Sequence, residues 1–146
     1  SMLALAQEAC ETLADAAKMK DVSLEVTGDD GVVNGVRRLL YEVVYNLCDN
    51  AIKYNVDGGS VNISIEEKEN EVGIIIEDTG IGIPLEHQSR IFERFYRVDK
   101  SHSKKSGGTG LGLSIVKHAG GYHNGKINLS SEEGKGTRIT ILFPLE

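Results

Sequence analysis

The chain has 146 residues, 40% of them hydrophobic and 26% charged, which is enough for one domain with its own core and too few for two. Sixteen Lys and Arg against 22 Asp and Glu leave a net charge of -6, which disfavours a general binder of nucleic acid or of anionic membrane. No apolar run approaches the ~20 residues that cross a bilayer, and no basic stretch leads into an apolar one at the N-terminus, so the chain reads as a soluble domain. Its two cysteines, Cys10 and Cys48, lack CxxC spacing. They argue against a disulfide scaffold and a zinc site, and a reducing, cytoplasmic setting is expected.

In chain order, Ser1 and Met2 read as an expression scar, and Leu3 to Lys20 carry helix formers with apolar residues at helical spacing. Val22, Leu24 and Val26 alternate with polar residues before the turn signal Gly28-Asp29-Asp30-Gly31, the pattern of a short strand. A second helix is expected from about Val36 to Tyr54. Val61, Ile63 and Ile65 alternate again, Glu69 and Asn70 supply a turn, and Val72 to Glu77 form the continuous apolar run of a central strand, so this pair reads as a hairpin. From Asp78 to Gly112 glycines, a proline and a basic stretch make a connection too long to be an ordinary one in a compact domain. Leu113 to Tyr122 resume a helical pattern, although Gly120 and Gly121 each cost about 1 kcal/mol there relative to Ala and could end it early. Ile127 with Leu129, then Ile139, Ile141 and Phe143, make closing strands around a turn at Gly134 to Gly136. The sum predicts an α/β (α+β) two-layer sandwich, a mixed and mostly antiparallel sheet packed against about three helices on one face.

Three segments carry chemistry. In the second helix Glu42, Asn46, Asp49, Asn50 and Lys53 fall within an arc of roughly 100°, with the apolar residues opposite. A plain solvated face favours Lys and Glu. Two Asn residues four apart are mediocre helix formers that instead offer oxygen ligands on one line, suited to a hard cation at Asn46 and a phosphate at Lys53. Next, Asp78-Thr79-Gly80-Ile81-Gly82-Ile83-Pro84 follows directly on the central strand, so Asp78 is placed to accept a hydrogen bond from an exocyclic amine and the glycines let a ligand approach the backbone. A single Asp-Thr-Gly excludes the paired-carboxylate protease, which needs two. The third segment, Gly107-Gly108-Thr109-Gly110-Leu111-Gly112, runs into a helix and offers free N–H groups to an anion. Gly120 to Lys126 satisfies G-x-x-x-x-G-K, but Ile127 stands where a Ser or Thr should reach magnesium, and the order is helix then strand, so a P-loop is rejected. From Arg94 to Lys105 five Lys or Arg face one Asp, the composition of a cationic lid over a triphosphate rather than of an ordinary solvated loop.

These segments together resemble the ATP-binding catalytic domain of sensor histidine kinases, within the GHKL ATPase superfamily that includes gyrase and chaperone ATPases. Asn46 to Tyr54 is similar to the N box, Asp78 to Gly82 to the first G box, Phe92 to Arg97 to the F box, Gly108 to Gly112 to the second G box, and Gly134 to Thr137 to the last glycine motif. The resemblance covers roughly residues 22–144 and implies the GHKL ATPase fold for a single domain over 3–146, with 94–109 as a mobile ATP lid. It implies that Asn46 binds Mg2+, that Asn50 and Lys53 contact the ATP phosphates, that Tyr54 stacks near adenine, and that Asp78 recognises its N6 amine. Gly80, Gly82, Gly110 and Gly112 would shape the pocket, Ile83, Thr109, Leu111 and Thr137 would complete it, and Arg97 would approach the γ-phosphate. Glu42 matches the position where the ATPase branch keeps its water-activating base.

The phosphoacceptor histidine of such kinases belongs to a separate dimerisation domain, and none of His87, His102, His118 or His123 occupies such a place. The resemblance therefore implies a cytoplasmic domain, of a parent anchored in the cell membrane, that supplies the γ-phosphoryl group to a histidine elsewhere in that parent. A response regulator would be the next partner, and the isolated fragment is expected to be monomeric. The alternatives are a non-catalytic nucleotide-sensing module, or a GHKL ATPase or serine kinase of the anti-sigma type.

Overall fold

The computed structural model describes residues 1–93 and 112–145. Helix α1 (Met2–Met19) opens the chain, capped by Ser1, whose hydroxyl accepts from Ala4 N–H at 3.2 Å. Ser1 and Met2 are both part of the fold, because Met2 is only 1% exposed and its N–H donates to Gly31 O at 2.9 Å. At the other end Asp21 turns into the left-handed region at φ 57°, and Val22 and Asp21 N–H groups close on Ala17 O and Lys18 O. That is a Schellman motif without a glycine.

Strand β1 (Ser23–Gly28), helix α2 (Arg37–Lys53), hairpin strands β2 (Ser60–Glu67) and β3 (Glu71–Asp78), a short 3-10 turn (Leu85–His87), helix α3 (Gly112–Tyr122) and strands β4 (Lys126–Glu132) and β5 (Gly136–Pro144) follow. The sheet order is β1-β2-β3-β5-β4, with β1 and β2 parallel and every other pair antiparallel. A parallel pair needs a crossover, and α2 is it. Among the described residues, the mixed sheet and three helices are the architecture expected from the sequence, with helix and strand ends displaced by up to three residues.

One face of the sheet is apolar. Val61, Ile63 and Ile65 of β2, Val72, Ile74 and Ile76 of β3, and Ile139, Ile141 and Phe143 of β5 are all buried there, against Leu5, Ala9 and Leu13 of α1, Val43, Val44, Leu47 and Ala51 of α2 and Val116 of α3. The opposite face carries Asn62, Thr140 and Asn128 at alternate positions, the period of a sheet covered on one side only. Exposed links such as Arg37 to Glu8 at 2.6 Å add at most about 1 kcal/mol each, so the apolar layer holds α1 and α2 in place.

Two helix ends show how contacts settle what local propensity leaves open. Helix α3 passes Gly120 and Gly121 and runs to Tyr122. It ends in a second Schellman motif, with Asn124 at φ 60°, Gly125 N–H on Gly120 O at 2.8 Å and Asn124 N–H on Gly121 O at 2.9 Å. Satisfied carbonyls at the end outweigh the propensity cost of the two glycines. The other is the start of α2, where Val36 provides no side-chain cap. His123 replaces it: its Nε2 accepts from Val36 N–H at 2.9 Å while Nδ1–H donates to Ala119 O at 2.9 Å. The end of α3 thereby holds the beginning of α2.

Cys10 and Cys48, far apart in sequence, meet across the α1–α2 interface as free thiols. The Cys48 thiol hydrogen-bonds to Cys10; this bond raises the Cys48 pKa, which burial pushes up further, and it lowers that of Cys10 against the smaller upward push of burial there. In native protein at pH 8, iodoacetamide should therefore modify Cys10 first and reach Cys48 only on unfolding. Mass spectrometry showing equal labelling of both would contradict this packing.

Candidate functional site

The polar stripe of α2 is half-buried throughout: Glu42, Asn46, Asp49, Asn50 and Lys53 are all intermediate in exposure, so it faces protein rather than open solvent. Asn46 donates its Nδ2 to Glu42 O at 2.7 Å, which turns its Oδ1 towards Gly112 at the start of α3. A Cβ at Gly112 would sit 3.3 Å from that oxygen. Lys53 pairs with Asp49 at 3.0 Å, one turn back. Glu42 lies one turn before Asn46 on the same stripe.

The helix ends at Tyr54, whose carbonyl accepts from Ile81 N–H at 3.0 Å, and this fastens the first glycine loop to the end of α2. Asn55, 4% exposed, completes the joint: its Nδ2 donates to Ser60 O at 3.0 Å and its Oδ1 accepts from Val56 N–H at 2.8 Å. Thr79 ties in through Oγ1, which accepts from Ser60 N–H at 2.9 Å.

Asp78 is the last residue of β3 and points to the helix-covered face. It pairs in register with Val61 on one side and Thr137 on the other. Its carboxylate accepts from Gly80 N–H at 2.8 Å and from the backbone N–H of Thr137. Burial pushes the carboxyl above the ordinary aspartate value of 3.8, the two N–H groups pull it part of the way back, and Glu77 adds a smaller upward push. Backbone approach around it is close. A Cβ at Gly80 would lie 2.4 Å from Tyr54 O, and one at Gly136, φ 132°, 2.1 Å from Asp78 O. Neither position tolerates a side chain. Gly82, at φ 73°, is shut in the same way by Glu132 O, and Ile83 N–H donates to Ser131 Oγ at 2.8 Å.

Of the residues predicted from sequence, the structure therefore gathers Asp78, Gly80, Gly82, Ile83 and Thr137 around the ends of β3 and β5, with Tyr54 beneath them. Glu42, Asn46, Asn50 and Lys53 follow along α2, and Gly112 opposes Asn46. Arg97, Thr109, Gly110 and Leu111, with the rest of the expected lid, lie outside the described residues. Sequence reading missed Ser131, Gln88 and Asn55, which hold the glycine loop from beneath. Only Ser131 carried a signal, as a polar residue in the inward phase set by Ile127 and Leu129. A hollow of about 510 Å3 lined by Phe92, Ser114, Lys117, His118, Gly121 and Tyr122 shares no residue with this cluster.

Residues 35–146 match the family described as Histidine kinase-, DNA gyrase B-, and HSP90-like ATPase. The chain belongs to that family. It is 45% identical over 119 residues to the sensor-like histidine kinase SenX3 of Mycolicibacterium smegmatis, covering 82% of this chain and 29% of that protein. It is 48% identical over 105 residues to the sensor histidine kinase WalK of Bacillus subtilis, covering 70% of this chain and 17% of that one. The chain thus spans less than a third of the length of these curated relatives. Among solved structures, the mycobacterial sensor histidine kinase MprB matches with a TM-score of 0.85 at 30% identity over 98% of this chain and 93% of that one. The catalytic domain of histidine kinase ThkA matches with a TM-score of 0.81 at 26% identity, over 96% of this chain and 91% of the other. The chain is an ATP-binding domain of the histidine-kinase type, built on the GHKL fold.

A raised pKa makes the protonated form of Asp78 the one that folding favours. That stabilising contribution is present below the ordinary aspartate value and is lost as pH rises through the folded one, so the ionised carboxylate is a cost to the empty domain at neutral pH. Asp78→Asn should accordingly hold or raise the melting temperature at pH 7. Calorimetric unfolding checks this, and a variant that melts clearly lower would contradict the cost of the buried carboxylate.

Proposed function

We propose that this domain binds Mg·ATP in the cleft between α2, α3 and the ends of β3 and β5, and that within a longer parent it passes the γ-phosphoryl group to a histidine on a dimerisation domain, from which a response-regulator aspartate receives it. The observation that carries the reading is Asp78: an acceptor-only carboxylate, half sunk at the end of the central strand and held by two backbone N–H groups, suits the N6 amine of adenine. Tyr54 flanks the base end. Asn50 and Lys53 stand further along the stripe for the phosphates, and Lys53 exchanges Asp49 for phosphate oxygen on binding.

The residues present fit Mg2+. A hard cation takes oxygen ligands, and Asn46 spends its amide nitrogen on Glu42 O, leaving its carbonyl oxygen for the cleft. When bound, the ion neutralises charge on the β- and γ-phosphates. The protein's own part is positioning. Asp78 fixes the base, the α2 stripe aligns the phosphates along the helix, and the basic run from Arg94 to Lys105, Arg97 included, supplies cationic charge at the γ-phosphate. In this reading 94–109 is the lid of a single domain spanning 3–146, and Gly110 and Gly112, with Thr109 and Leu111, bring backbone N–H groups to the phosphates. Glu42 is the candidate base for the side reaction with water.

Two experiments test it. Mg·ADP titrated into the wild-type domain should bind saturably, and a separately supplied histidine-bearing domain should become phosphorylated from ATP. Asn46→Ala should lose the Mg2+-dependent part of the affinity and slow transfer at least about tenfold, a loss typical even of residues that only support a metal ligand. Transfer by this variant at the wild-type rate would sink the Mg2+ assignment. Phosphoserine on a partner, or rapid hydrolysis abolished by Glu42→Gln with no transfer to histidine, would overturn the acceptor.

A further inference from the structure

The inward face of the sheet changes character in its last row. Where the rows above it are apolar, the adjacent positions on β3, β5 and β4 are Asp78, Thr137 and Ser131, paired in register across three neighbouring strands. Ser131 stands furthest from the nucleotide side, and its hydroxyl has three neighbours. Ile83 N–H lies at 2.8 Å, Gly136 O at 3.0 Å and Thr137 Oγ1 at 2.8 Å.

These contacts determine where the protons are. The Ile83 amide can only donate, and the Gly136 carbonyl can only accept. A serine hydroxyl has one proton. If it pointed at Thr137, a lone pair of Ser131 would face the Gly136 carbonyl at 3.0 Å, an oxygen-to-oxygen repulsion with no proton between them. The arrangement without such a clash has Ser131 donating to Gly136 O, accepting from Ile83, and accepting also from Thr137. Gln88 holds the frame in place, its Nε2 donating to Ile83 O at 2.8 Å and to Ser131 O at 3.1 Å.

The Thr137 hydroxyl proton is thereby committed to Ser131, and the lone pairs left on Thr137 Oγ1 make it an acceptor. Thr137 also donates its backbone N–H to the Asp78 carboxylate, which makes the two groups neighbours. We infer that Ser131 is a positioning residue for base selectivity: by taking the Thr137 proton it leaves two acceptors, Asp78 and Thr137, at the base end of the site, so that a purine with a 6-amino donor is taken and one with a 6-oxo acceptor is refused. The inference rests on the ATP-binding reading above. It assigns part of the discrimination to a residue that touches no nucleotide.

Removing the Ser131 hydroxyl frees the Thr137 proton to turn towards the base, where it can donate to a 6-oxo group. The test compares ATP and ITP, which differ at position 6 and in the proton that ITP carries on the adjacent N1, by calorimetric titration into the wild-type domain, Ser131→Ala and Ser131→Thr. The ratio of ITP to ATP dissociation constants should fall about five- to tenfold in Ser131→Ala, the scale of one hydrogen bond, and stay near the wild-type value in Ser131→Thr, which keeps a hydroxyl there. Equal weakening of both nucleotides by Ser131→Ala would make the residue merely structural and overturn the inference. Should that variant fail to fold, Thr137→Val removes the acceptor itself while keeping a β-branched strand residue. An unchanged ratio there overturns the inference equally. A wild-type domain that binds ATP and ITP alike refutes the Ser131 role and leaves ATP binding standing, whereas one that binds neither refutes both.

Discussion

A carboxylate at the inner end of a central strand is an expensive thing to place, and the backbone around Asp78 is arranged to offset part of that cost. Burial raises its pKa, and the N–H groups of Gly80 and Thr137 offset part of that. Both donors are available only because the chain turns sharply beside them. Gly80 lies against Tyr54 O and Gly136 against Asp78 O at distances no Cβ can occupy, so the glycines of two separate motifs serve one carboxylate. A polar group left short of partners in a semi-enclosed site makes recognition selective, and in the proposed reading a ligand's amine would relieve the residual cost on binding.

Helix α2 does two jobs at once. Its apolar side, with Val43, Val44, Leu47, Ala51 and Ile52 buried, joins α1 to the sheet, and its polar stripe forms one wall of the cleft. The stripe is only as well placed as the helix. Both ends are therefore tied by side chains from elsewhere: His123 accepts from Val36 N–H at the start, and the Lys20 ammonium donates to Lys53 O at the end. A cation at a helix C-terminus is also favourable to the helix dipole. Through these ties the position of Asn46 relative to Gly112 depends on packing at both flanks of the domain.

Much of this was legible in the residues. Alternation in Val61 to Ile65 and Ile139 to Phe143, and the unbroken run before Asp78, locate the strands because a one-sided sheet imposes a period of two on its exposed members and none on its centre. Asp78 followed by alternating glycines reads equally as a turn, and it gains weight only from the other motifs that share its order along the chain. The parts that escaped are those set by contacts between distant segments. Cys10 and Cys48 meet across two helices, and His123 caps a helix that begins 87 positions earlier. Gln88 reaches both Ile83 and Ser131 from a 3-10 turn that the glycine-rich stretch concealed. Gly120 and Gly121 do not end α3 because local propensity yields to a well-capped end. Lys53 is expected from its spacing to contact a phosphate, and in the structure it is paired with Asp49.

The central claim, that Asp78 is a strained acceptor relieved by the nucleotide's amine, is tested most directly by following its side-chain carboxyl carbon by NMR through a pH titration, with and without ADP. The account predicts a titration above 3.8 in the free domain and a clear downward displacement when ADP is bound, since a donor to the ionised form favours it. A carboxyl that titrates at the ordinary aspartate value and does not respond to ADP would contradict it.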